Sequence, residues 1–179
     1  YSGEVDSDKE VLNLCWFGGA GKKSLLNGIH ELIESQKLIL ALTHKYIVNL
    51  NICSNLTNDQ RNELIDTCKK NKVSKLTYDE WTMENVARSI NKCDFCFLPR
   101  LNSHVTYYKS PNRLATALSY FRRTIISNIS NPEYDIFDPI KIDENNIPEN
   151  LLNHKKTISF PESWTKDYIT QEWIDTIKN

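Results

Sequence analysis

The chain has 179 residues, a net charge of -1 and 40% hydrophobic composition, the profile of one ordinary soluble domain with a single sizeable core. Its 22 Lys and Arg against 23 Asp and Glu leave no basic footprint, which argues against nucleic acid or an anionic membrane as the main partner. The longest apolar stretch, residues 38–42, is far short of the roughly 20 residues that cross a bilayer, so no transmembrane segment is expected.

The first six residues have neither the basic nor the apolar region of a signal peptide, and a cytoplasmic location is the expectation. With no initiator Met, the chain is expected to be a fragment of a longer protein. After a lead-in over residues 1–10, the apolar run from Val11 to Phe17 predicts a buried strand closed by Gly18-Gly19-Ala20-Gly21. Leu25, Leu26, Ile29, Leu32 and Ile33 then recur at helical spacing, and a second helical piece is expected over residues 37–44. Residues 47–53 read as the second strand. Thr57 with Gln60 spells a capping box for the next helix, and residues 73–78 form a weaker third strand. Thr82 caps a helix through Val86, Ala87 and Ile90, residues 93–98 are the fourth strand, and Ser110 with Pro111 predicts a capped helix start. A fifth strand, residues 124–127, follows that helix.

Strands alternating with helices in this way call for a doubly wound parallel sheet, a Rossmann-like α/β fold in one domain. The domain is assigned to residues 11–137 and an irregular, helical C-terminal tail packing on it to 138–179. In such sheets ligands bind beyond the carboxyl ends of the strands, so the loops after Phe17, Cys53, Tyr78, Leu98 and Ser127 form the working edge.

The five cysteines (Cys15, Cys53, Cys68, Cys93, Cys96) lack paired metal-site spacing and fit buried thiols of a reducing compartment. Cys93 and Cys96 form a CxxC, but on a strand residues three apart point to opposite faces, which separates the two thiols. Gly18 to Ser24 does not fit a P-loop. Trp16 stands where the first Gly is required, and Lys23 follows Lys22 where Ser or Thr is required. A glycine turn feeding a helix N-terminus, with Lys22 and Lys23 nearby, still favours phosphate; the alternative is a plain turn with solvated lysines. A second group with the same chemistry, Lys109, Ser110, Asn112 and Arg113, opens the helix after the fourth strand; the two groups would grip a diphosphate from both sides.

The order of these motifs resembles the C-terminal, donor-binding half of a GT-B glycosyltransferase of the group 1 type. The likeness runs over residues 11–134: a Trp16-Phe17-Gly18 turn, Asp79-Glu80-Trp81, Asp94-Phe95-Cys96-Phe97-Leu98-Pro99, Lys109-Ser110-Pro111-Asn112-Arg113 and Thr124-Ile125-Ile126-Ser127. The resemblance implies a nucleotide diphosphate sugar as co-substrate, transfer of the sugar to an unidentified acceptor, and carbohydrate biosynthesis. It also implies a missing N-terminal domain carrying the acceptor site. On this reading Gly18, Gly19, Lys22, Lys109, Ser110, Asn112 and Arg113 hold the diphosphate and sugar, Tyr78 and Trp81 lie near the nucleobase, and His104 is a further candidate contact. No cofactor and no metal are expected, because cations and the helix dipole offset leaving-group charge in that family. Retaining relatives carry two glutamates across this helix start; here those places fall on Tyr108 and Thr116.

His30 and His44 fall on helices and His154 in the tail, with no carboxylate pair that would suggest a metal. Trp164, Tyr168 and Trp173 are expected to pack on the sheet. No nucleophile or general base is visible, so catalytic residues stay unassigned and the fragment alone is expected to be inactive. The alternative from another class is a non-catalytic module that has kept the fold, lost donor binding and binds a protein.

Overall fold

A computed structural model describes residues 8–23, 27–101, 111–129 and 131–154. The apolar run Val11–Phe17 is β1, and Leu12, Leu14, Cys15, Trp16 and Phe17 are all buried, so both faces of this strand are covered. Parallel sheets bury their central strands in this way, which accounts for the near-continuous hydrophobic run. β1 pairs in parallel with β2 (Ile47–Cys53) from Val11 opposite Ile47 to Phe17 opposite Cys53, and on its other side with β4 (Phe95–Phe97), where Leu14 faces Phe95. With β3 (Lys75–Asp79), β5 (Thr124–Ser127) and β6 (Ile140–Ile142) the sheet has the order β3-β2-β1-β4-β5-β6, every pair parallel. The chain reverses direction across the sheet between β1 and β4, and that switch point marks where a doubly wound fold opens a crevice.

The helices are α1 (Ile29–Glu34), α2 (Gln36–Lys45), α3 (Asn58–Lys70), α4 (Met83–Lys92), α5 (Asn112–Ser119) and α6 (Pro132–Asp135). Right-handed crossovers place α1 to α3 on one face and α4 and α5 on the other. The expected capping box on α3 is present, Thr57 Oγ1 accepting from the Gln60 N–H and Gln60 Oε1 from the Thr57 N–H. Thr82 caps α4 by accepting from Asn85 N–H.

β2 alternates, Val48, Leu50 and Ile52 buried and Asn49 and Asn51 half-buried. The asparagines face the side covered by α4, where they join a polar ladder: Asn49 Nδ2 donates to Asn13 Oδ1, Thr77 Oγ1 to Asn51 Oδ1, and Asn51 Nδ2 to Asp79 Oδ2 and Ser89 Oγ. Ladder and α4 enclose a polar cleft of about 460 Å³.

Four local expectations are corrected. Residues 138–154 are not only irregular and helical, since Ile140–Ile142 adds a sixth strand, with Ile142, Ile147 and Leu151 buried in the core. Three residues are too few to show a period-two pattern, and the preceding Pro139 suits a strand start. The fourth strand is shorter than residues 93–98: Cys93 is the C-cap of α4, so the opposite-face argument does not apply to it. Its thiol donates to the Ile90 carbonyl at 3.2 Å and lies within hydrogen-bonding reach of the Cys15 and Cys96 thiols, so the two CxxC thiols meet where separation was expected. α5 begins at Asn112 with Pro111 in the cap position, one residue later than expected, and Ser110 lies outside the described residues.

The helix behind the glycine turn also starts later, at Ile29, and its first N–H groups are occupied. Ile29 N donates to Ala20 O, His30 N to Asn27 O and Glu31 N to Gly28 O. The expected free helix N-terminus is therefore closed by the loop folding back on it. All five cysteines are buried and reduced. Among the described residues no helix is long and apolar enough to cross a membrane, and no group of three or more His, Cys, Asp or Glu could hold a metal ion.

Candidate functional site

At the carboxyl edge, the loop after β1 runs through Gly18 at φ 155° to Gly21 at φ 73°, and returns to α1 through Gly28 at φ 62°. The return is tight: a Cβ on Gly28 would stand 2.5 Å from the Gly19 carbonyl oxygen. Lys22 N–H donates to Asn27 Oδ1, which ties the two ends of the loop together. Gln60 of α3 braces it from outside, its Nε2 lying 3.4 Å from Ala20 O and 3.3 Å from Nε2 of the buried His30.

Beneath this loop lies a cluster of buried charge. Glu31 of α1 is fully buried, and its Oε2 accepts from Arg100 Nη1 at 3.0 Å and from Arg113 Nη2 at 3.4 Å. Arg100 lies in the loop three residues past the end of β4 and is 3% exposed; Arg113 comes from the first turn of α5. Each guanidinium also covers a ring, Arg100 over Tyr134 and Arg113 over Trp16, both 5.5 Å from the centroid. Arg113 Nη1 donates to the Phe17 carbonyl. Its desolvation, followed by the neighbouring Arg100 charge, pushes Arg113 down to about 10. One carboxylate thus gathers three elements around the switch point.

Two cavities open on either side of this cluster. The larger, about 490 Å³, is mainly apolar and lies between Gly18, Gly19, Trp81, Met83, Asn112 and Arg113, with Thr116 in its wall. Trp81 and Met83 are 42% and 61% exposed at its rim, and Trp81 N–H is anchored on Asn55 Oδ1. The smaller, about 340 Å³, lies between Gly19, Asn27, Gly28, Arg100, Asn112 and Arg113. Gly19, Asn112 and Arg113 belong to both.

Of the residues singled out in the sequence, Gly18, Gly19, Trp81, Asn112 and Arg113 therefore meet in one place. Tyr78 does not line either cavity. It turns toward α3, where Arg61 lies 5.8 Å over its ring, and burial pushes its pKa up to about 12. Lys22 is exposed and lines neither cavity, while Lys23 pairs with Glu63 at 2.6 Å. His104, Lys109, Ser110 and Tyr108 lie outside the described residues, as do Trp164, Tyr168 and Trp173. His44 and His154 are exposed.

Sequence reasoning missed Glu31, Arg100 and Gly28. The available signal for Arg100 is its place in the loop after a strand at the carboxyl edge. Glu31 has no such signal, because a carboxylate on an amphipathic helix reads as part of the solvated face.

No family model matches the sequence, and no curated protein matches it. Solved structures do. The chain superposes on the trehalose-6-phosphate synthase OtsA of E. coli, a GT-B glycosyltransferase solved with UDP-2-fluoro glucose bound, with a TM-score of 0.50 at 9% identity, over 80% of this chain and 35% of that one. An apo structure of OtsA gives 0.46 at 10% identity, over 81% and 35%. The chain spans about a third of the length of these structures, and the likeness is one of fold: a parallel Rossmann-like sheet like that of a GT-B glycosyltransferase domain.

Proposed function

We propose that this chain is the donor-binding half of a glycosyltransferase, holding a nucleotide diphosphate sugar at the carboxyl edge of its sheet for transfer to an acceptor bound by a separate N-terminal domain. The observation that carries the reading is the pairing of an apolar and a cationic cavity at the β1–β4 switch point, joined through Gly19, Asn112 and Arg113. A nucleotide diphosphate has the same division: a flat apolar base and a dianionic bridge.

In this reading the base stacks on Trp81 beside Met83. The diphosphate lies against Asn112, Arg113 and the glycine loop, and Lys109, Ser110 and His104 supply further contacts to phosphate and sugar. On transfer, the bond from the anomeric carbon to the diphosphate oxygen breaks as a bond to the acceptor oxygen forms. The charge left on the nucleotide is offset by fixed cations, with no cofactor or metal required. The base that takes the acceptor proton is assigned to the other domain, so this chain alone does not turn over.

Thermal melting with UDP-, GDP-, ADP- and CMP-sugars tests the proposal. A ligand at a hundred times its Kd adds about 2.7 kcal/mol to stability, on the order of 5–10 °C in Tm for a chain of this length. One nucleotide class giving that shift, lost in Arg113→Ala, supports the reading. No shift with any of them favours a non-catalytic interaction module, a reading to which Thr116 adds weight by lining the cavity where retaining relatives place an acid.

A further inference from the structure

Among the described residues, two guanidiniums share the single carboxylate of Glu31, which leaves one positive charge in surplus on side chains only 2% (Arg100) and 19% (Arg113) exposed. A surplus charge in such a place is costly unless something answers it. Arg100 also has a donor to spare: its Nε makes no hydrogen bond among the described residues. Arg100 and Arg113 both line the smaller cavity, whose opposite wall is the glycine loop, where Gly19 leaves backbone open to close approach. Asn27 and Asn112 complete the lining with amides. The lowered pKa of Arg113 has the same origin, burial beside a like charge.

We propose that the cavity under the glycine loop is an anion site in which Arg100 is a direct phosphate ligand and Glu31 is its built-in counter-anion. In the unliganded chain Glu31 holds the two guanidiniums over one oxygen. An entering phosphate takes up the surplus charge and the spare Nε–H, and Glu31 keeps both forks aimed. The inference rests on the donor reading for its physiological ligand, a nucleotide diphosphate, and assigns the diphosphate to Arg100 as well as Arg113. Glu31 is a positioning residue, and its negative charge opposes the anion that it helps to orient.

That opposition supplies a test that a merely structural role does not pass. Inorganic pyrophosphate is titrated by calorimetry into the wild-type chain, Glu31→Gln and Arg100→Lys, with thermal melts reporting that each is folded. Removing the carboxylate charge a few ångströms from the site tightens pyrophosphate binding about tenfold. Arg100→Lys keeps the charge opposite Glu31 but loses the fork and the Nε donor, and weakens binding about tenfold. If Glu31→Gln does not fold, the Arg100→Lys result decides. Pyrophosphate affinity unmoved or weakened by Glu31→Gln, unmoved by Arg100→Lys, or absent in every variant overturns the inference. Nucleotide sugars that still bind in that case leave the donor reading standing. Pyrophosphate that responds as expected while no nucleotide sugar binds overturns the donor reading and leaves the anion site.

Discussion

Substituting Gly28 by Ala tests whether the glycine loop is held by backbone contact. Gly28 has φ 62° and ψ -130°, a mirror image of extended backbone that an L side chain enters at a cost of about 1–2 kcal/mol. The new methyl would also stand 2.5 Å from Gly19 O, 2.8 Å from the Ala20 carbonyl carbon and 2.8 Å from Gly21 Cα. All three are backbone atoms of the opposing strand of the loop and cannot rotate away, so the loop must shift. Overpacking of this kind adds about 1–3 kcal/mol. Together these effects lower Tm by on the order of 10 °C for a chain of this length. Gly19→Ala is the control. A Cβ there meets nothing within 4 Å, so its stability stays within about 0.5 kcal/mol of wild type while its methyl intrudes on both cavities. The assay is a thermal melt by circular dichroism. Gly28→Ala melting with the wild type, or Gly19→Ala falling as far, refutes the account of the loop.

Other consequences follow from single contacts. Asp79 accepts from Asn51, Arg88 and Ser89, and these bonds hold its carboxyl below the usual value. Its contribution is therefore present above the ordinary Asp pKa and is lost as pH falls through the lowered one. Asp79→Asn should flatten the acid limb of stability below about pH 4, by at most about 1 kcal/mol because solvent screens the half-exposed pair; an acid limb unchanged from wild type contradicts this. Thr57→Ala breaks the capping box on α3 and should cost about 1 kcal/mol, or 2–4 °C in a melt. A thiol-exchange reagent should find less than one equivalent of cysteine in the folded chain and all five on denaturation, because every cysteine is buried and reduced. Rapid titration of several thiols in the folded chain would show that the core is looser than described.

The fold was legible wherever burial wrote a simple pattern. β1, β2 and β5 are apolar or alternating runs ended by Gly18, Ser54 and Asn128, and their bounds match the expected ones. β6 escaped because Ile140-Lys141-Ile142 offers only two apolar residues, and its place in the sheet depends on pairing with β5, a non-local fact. The site was legible in part for a related reason. Gly18, Gly19, Asn112 and Arg113 sit at loop and helix starts that the α/β pattern marks, whereas Glu31 and Arg100 are ordinary surface residue types until the fold buries them against each other. Gly28 stands alone in the sequence, and its role exists only where the loop returns to the start of α1. Tyr78 shows the converse: its strand end was placed correctly, but its side chain turns to α3.

The central claim is that a nucleotide diphosphate sugar binds at the edge where Trp81, Asn112 and Arg113 meet. Calorimetric titration of the folded chain with the four nucleotide-sugar classes measures it most directly. The account predicts saturable one-to-one binding of one class, weakened at least tenfold by Arg113→Ala through loss of a charge-assisted contact. No heat of binding from any class, or binding that Arg113→Ala leaves unchanged, contradicts it.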